Sequence, residues 1–165
     1  YLSFLTSADQ KEKALEYMKA ELEKNPTNVA LISQVADMYL KSGNFVSALE
    51  YLEKRAALEP DNKEAWYTIG VSCWARSYHG GMMVSQEERG QVVDKGLEAL
   101  DKAMKLDTSY FDALSYTNLL FREKAKYLAA IGKNMEAGEA YMKAEEYLKK
   151  ALEVRKAQTQ AKPKA

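Results

Sequence analysis

Among 165 residues there is one cysteine, one histidine and three prolines, and each scarcity removes a class of protein. Cys73 has no partner for an internal disulfide, which leaves the redox compartment open. With His79 the sole imidazole, no zinc-ligand set exists at any spacing. His79 beside Met82 and Met83 has the composition of a soft-metal site, but flexible methionines next to a lone histidine read more simply as a loop. No apolar run approaches the roughly 18 residues of a membrane helix, and no basic segment leads into a signal-peptide core. Membrane insertion is therefore not expected. Lys plus Arg (24) balance Asp plus Glu (24), with both signs mixed along the chain, so no basic face points to nucleic acid.

Catalytic constellations are equally scarce. An enzyme requires convergent groups, such as a nucleophile with its base or paired carboxylates in a cleft. Gly80-Gly81 has no neighbouring lysine or strand and is too short for a phosphate cradle. Glu87-Glu88 and Glu145-Glu146 fall on helical stretches, where first-turn charge or a solvated face accounts for them. Cys73 lies on the apolar face of its helix and reads as an inert buried thiol. The sequence thus assigns no catalytic residue, cofactor or metal.

What is present is a repeat. ALEYMKAELEKNPTN, residues 14–28, returns as ALEYLEKRAALEPDN, residues 48–62, with Pro26 and Pro60 in register. Weaker copies start at Gly96 and Ala144, so the starts are separated by 34, 48 and 48 residues. Between the copies lie further helical patterns at Ala30–Ser42, Ala65–Tyr78 and Phe111–Ile131. The repeating unit is a pair of helices, with Pro26 and Pro60 closing one helix and Asp61 or Ser109 expected to cap the next. Gly43 and Gly132 occupy turns inside pairs. Ser85 and Glu88 form a capping box ahead of Val92 and Val93, which starts the next helix early. The helix from Phe111 overshoots by a matching two turns or so, and the two extensions are expected to bury Val92 and Val93 against Tyr127, Leu128 and Ile131. Tyr78–Val84 is left as a projecting loop. The last helix, Met135–Lys156, carries Glu139, Lys143, Glu146, Lys150 and Glu153 on one water-facing stripe. The tail from Ala157, AQTQAKPKA, has no apolar period and is expected to fray.

A helical hairpin of 34 residues is the period of the tetratricopeptide repeat, and specific residues strengthen the resemblance. WYTIGVSC, Trp66 to Cys73, resembles the W-x2-L-G-x2-Y signature, with Ile69 for Leu and Cys73 for Tyr. Ala36 and Gly70 fall at the small site where the two helices of a unit touch, and GNFVSALEYL from Gly43 is similar to the turn and second helix. Asn118 departs from the pattern by standing at the small site of the last unit. The resemblance covers residues 8–110 well and the rest loosely. It implies an all-α superhelical array of antiparallel helix pairs: a partial unit 1–28, units 29–62, 63–110 and 111–157, the last two lengthened, and a flexible tail 158–165.

The resemblance further implies a concave groove lined by the first helix of each pair. Mapped onto this sequence, the groove positions are Ser33 and Asp37, then Tyr67, Val71, Trp74 and Tyr78, then Ser115, Leu119, Arg122 and Lys126. Ser33 and Asp37 stand where members that grip a C-terminal carboxylate carry Lys and Asn, and Asp37 would repel such a group. The implied function is a non-enzymatic scaffold that binds a peptide or helix of another protein, with aromatic anchors and Arg122 as a polar clamp. The competing reading is self-assembly into a dimer or larger oligomer through the apolar YLSFL, Tyr1–Leu5, or through the lengthened hairpins. Phe111–Lys126 is similar to stretches in bacterial, often exported, repeat proteins; this leans towards export while leaving the compartment open, and a leader or further repeats upstream of Tyr1 is a separate expectation.

Overall fold

The structure, a computed structural model, describes residues 8–161; the YLSFL segment lies outside them. Seven α-helices account for most of the described chain, joined by short turns, with one 3-10 turn and no strand among the described residues. The contacts divide into two compact units, one ending at Pro60 and the other starting at Asp61, taken here in turn.

The first unit holds α1 (Ala8–Lys24), α2 (Val29–Lys41) and α3 (Phe45–Leu58). Asn28 caps α2 by accepting the Leu31 N–H, and Asn44 caps α3 by accepting the Ser47 N–H, which satisfies donors that a helix start leaves without a carbonyl. Between α2 and α3 the chain reverses at Gly43, whose φ of +78° lies in the left-handed region that glycine enters without steric cost. Met18 and Leu22 of α1 bury against Ile32 and Val35 of α2. The small site predicted at Ala36 is fully buried, as are Ala48 and Ala56 of α3.

The second unit holds α4 (Lys63–His79), the 3-10 turn Gly81–Met83, α5 (Gln86–Leu106), α6 (Phe111–Ala130) and α7 (Asn134–Gln160). Helix α4 pairs with α5 and α6 with α7, while α6 also packs on both α4 and α5. The core gathers Val93, Leu100, Ala103, Tyr110, Ala113 and Leu120, with Trp66, Tyr67 and Trp74 packed against it. Two glycines permit the close approach of α4 and α5. A β-carbon on Gly70 would stand 2.4 Å from Leu100 Cγ, and one on Gly96 would stand 2.8 Å from Cys73 Cβ. Cys73 is itself fully buried.

Several local expectations shift. The cap of α4 is Asn62, accepting the Glu64 N–H, rather than Asp61; Tyr110 stands at the N-cap of α6 and makes no side-chain cap, and Asp107 accepts the Ser109 N–H. The Ser85 cap forms as the sequence predicts, with Oγ accepting the Glu88 N–H at 3.1 Å. Ile131 is exposed rather than buried, because α6 ends there and turns through Gly132, φ +80°. Leu128 packs on Ala137 and Ala140 of α7, while Tyr127 meets α5 at Gly90. Helix α7 runs on to Gln160, past the end of the apolar period at Lys156, and Gln158 Nε2 donates to the Ser109 carbonyl at 3.4 Å. Asn118, the exception at the small site, is buried and donates its amide to the Ala144 carbonyl at 2.6 Å. A polar group thus takes the place of close packing where α6 crosses α7.

Candidate protein-docking face

Helices α4 and α6 lie side by side in the second unit, and their facing residues bring rings together. Tyr110 stands 5.2 Å from Tyr67, Tyr67 stands 5.7 Å from Tyr116, and Tyr116 stands 5.3 Å from Trp74. Trp74 then stacks on Tyr78 at 5.1 Å with the rings 17° apart. His79 closes the series edge-on against both Trp74 and Tyr78. Consecutive centroids 4.5–7 Å apart in tilted or offset geometry are the favoured arrangement for aromatic pairs, each worth about 0.5–1.5 kcal/mol beyond burial. The chain of rings is therefore stiff. Its helical origin is simple: Tyr67, Trp74 and Tyr78 recur on one side of α4 at spacings of seven and four.

Burial is graded along this series. Tyr110 is buried, with its hydroxyl donating to Glu64 Oε1 at 2.6 Å; Tyr67, Trp74 and Tyr116 are half-buried; Tyr78 is 54% exposed. Burial pushes the Tyr67 phenol up to about 12. The Tyr110 phenol is also raised, by burial first and then by its bond to Glu64. Both rings are neutral at physiological pH and present hydroxyl dipoles rather than charge. A cation stands at each end, Lys63 Nζ 4.5 Å from the Tyr110 centroid and Lys126 Nζ 5.5 Å from that of Tyr78. Lys63 is also held by Asp107 Oδ2 at 2.6 Å, and this bond keeps the Asp107 carboxyl below its usual range.

The groove residues expected from the sequence fall in different settings. Ser33 and Asp37 belong to α2 in the first unit, where Ser33 Oγ donates to the Val29 carbonyl and Asp37 pairs with Lys41 at 2.6 Å. Tyr67, Trp74 and Tyr78 come together as described. Val71, Ser115 and Leu119 are half-buried on α4 and α6, with Ser115 Oγ donating to the Phe111 carbonyl. Arg122, expected as a polar clamp, has partners of its own. Its guanidinium is taken up inside the unit by Glu145 Oε1 at 2.5 Å and lies 5.4 Å from the Tyr141 ring. Lys126 likewise pairs with Glu123 at 2.7 Å.

Tyr116 and Tyr110 are the ring-chain members that sequence mapping missed. Tyr116 follows Ser115 directly, so a template that selects every third or fourth residue of α6 passes over it. Tyr110 precedes the first turn of α6 and lies before the mapped positions begin. The usable signal is the run of aromatics at 110, 111 and 116 opposite those at 66, 67 and 74.

No helix among the described residues is long and apolar enough to cross a membrane. No family model matches the chain, and no curated protein matches it. Solved structures do. The chain is similar to the MamA RS-1 ArsTM double mutant at a TM-score of 0.53 and 20% identity, covering 91% of this chain and 68% of that one. It is similar to MamA MSR-1 C2 at 0.51 and 18%, covering 86% and 69%, and to a crystal structure of MamA at 0.51 and 20%, covering 92% of each. At such identities the likeness is one of fold: an all-α, tetratricopeptide-like array of helices packed in pairs.

Proposed function

We propose that the chain is a non-enzymatic protein-interaction module, and that the α4–α6 face of its second unit takes up a short apolar or helical segment of a partner protein. The observation that carries this reading is the five-ring series from Tyr110 to Tyr78. Its buried end anchors it in the core and its exposed end, Trp74 stacked on Tyr78, is open to solvent. Rigid aromatic area costs little conformational entropy when it is covered, which is why Trp and Tyr dominate the energetics of protein interfaces. A ring pair already stacked in the free protein has lost its rotamer freedom in advance. The fold likeness to MamA is compatible with this reading, and the sequence supplies no catalytic constellation to compete with it.

The test is capture with the whole chain as bait, comparing wild type with Tyr78→Ala and with Trp74→Ala. Tyr78 is exposed, so its truncation leaves the core intact and isolates binding from folding. Loss of partner recovery on the order of tenfold or more for Tyr78→Ala, with helicity unchanged, is expected of an interface anchor. Unchanged recovery with both variants would remove the face from the account.

A further inference from the structure

Beside the ring series the second unit contains a cleft of about 260 Å³, where the start of α5 meets the end of α6, lined by Gln86, Arg89, Glu123, Lys126, Tyr127 and Ala130. Its floor is a carboxylate: the Glu123 side chain is only 5% exposed. A buried carboxylate needs strong partners, and its partners are unequal. Ser77 Oγ donates to Oε2 at 3.3 Å. The Arg89 guanidinium stands 3.9 Å from Oε2, beyond hydrogen-bond distance, because it is turned to the carbonyls of Ser77 and Gly81, where it closes the end of α4. Among the described residues the hydrogen bond from a cation comes from Lys126 Nζ, 2.7 Å from Oε1, on a side chain that is 64% exposed. An i,i+3 pair with one solvated end is a weak restraint, since holding four rotatable bonds in place costs nearly what the pair gains.

We infer that the cleft is a receptor for the guanidinium of an arginine carried by a partner segment, and that the Lys126 ammonium is its placeholder in the free protein. This rests on the reading of the α4–α6 face as a docking surface and adds a charged element beside the apolar one. Lys126 Nζ marks where a cation sits, 2.7 Å from the carboxylate and 5.5 Å from the Tyr78 ring. A guanidinium entering there meets both carboxylate oxygens with its planar fork and stacks against rings as an ammonium does not. Tyr127 supplies the opposite wall. It fits because α5 carries Gly90, where a β-carbon would stand 2.7 Å from Tyr127 Cζ. When the exchange occurs Lys126 swings into water at little cost, and Glu123 keeps a full cationic partner. Arg89 stays on the carbonyls of Ser77 and Gly81, and because the newcomer replaces Lys126 the number of cations beside Glu123 is unchanged by the exchange.

The experiment titrates the full chain with N-acetyl-arginine amide and with its uncharged isostere N-acetyl-citrulline amide, following the NMR signals of the Tyr127 ring and the Lys126 side chain. Saturable shifts at both residues with the arginine compound alone are expected. Lys126→Ala removes the competing cation and should tighten binding on the order of threefold or more, since the occupied fraction of the site is released. Glu123→Gln should abolish the response, and because that side chain is buried, Lys126→Ala provides the arm that does not depend on refolding. An arginine compound that leaves Tyr127 unmoved in wild type and in Lys126→Ala overturns the inference, as does an equal response to citrulline. Loss of the arginine response with Tyr78-dependent capture intact would remove this inference alone. An arginine response that persists without Tyr78-dependent capture would uphold the cleft and remove the docking face.

Discussion

Gly70 of α4 lies so close to Leu100 of α5 that no β-carbon fits between them: one placed on Gly70 would stand 2.4 Å from Leu100 Cγ. Leu100 is fully buried, so it has no room to withdraw. Overpacking of this kind costs about 1–3 kcal/mol, against at most about 1 kcal/mol regained from the better helix propensity of alanine. Gly70→Ala is therefore expected to lower stability by about 1 kcal/mol in urea unfolding. Gly138 of α7 provides the control, since nothing lies within 4 Å of its β-carbon position. There Gly138→Ala should stabilise by up to about 1 kcal/mol.

The Asn118 amide donates to the Ala144 carbonyl at 2.6 Å and its Oδ1 accepts from Arg122 Nε at 3.4 Å. Truncation removes a buried polar bridge where α6 crosses α7 and loosens the guanidinium beside it. Asn118→Ala should cost about 1–3 kcal/mol, read as a lower unfolding midpoint. A cost near zero would mean that the surrounding helices collapse onto the vacated space.

The raised phenols of Tyr67 and Tyr110 make stability fall in alkali. A phenol whose folded value lies above its ordinary 10.0 holds its proton more tightly in the native state than in the unfolded one. Its contribution is fully present below pH 10 and is lost as pH rises toward about 12, the Tyr67 value. Tyr110 is raised as well, so its loss falls in the same direction. Thermal midpoints should be flat from neutrality up to pH 10.0 and decline above it. Tyr67→Phe should flatten part of that decline, since phenylalanine has no proton to lose.

The helix pairs were legible in the sequence because the signals that specify them are local. Pro26 and Pro60 ended helices, Ser85 capped one, and Gly43 and Gly132 supplied left-handed turns that other residues enter at a cost. The site was half legible. Tyr67, Trp74 and Tyr78 share one side of α4 by periodicity alone, but Tyr116 joins them only through the rotation of α6 against α4, which no single-helix pattern encodes. The surroundings of Arg122 were hidden for a related reason. A cation placed on a face reads as available until the neighbouring helix is known, and here α7 brings Glu145 within 2.5 Å. The Glu123 cleft was invisible for the same cause, since two helices must meet to make it. Asn118 was a departure from the repeat pattern until the Ala144 carbonyl appeared opposite it.

Trp74 carries the central claim, and its own fluorescence tests it most directly. Trp66→Phe leaves Trp74 as the only indole in the chain. In that variant the partner recovered by capture should shift Trp74 emission to the blue and shield it from a soluble quencher, with a midpoint equal to the affinity measured by calorimetry. Binding seen by calorimetry with Trp74 emission and quenching unchanged would place the partner elsewhere and contradict the account.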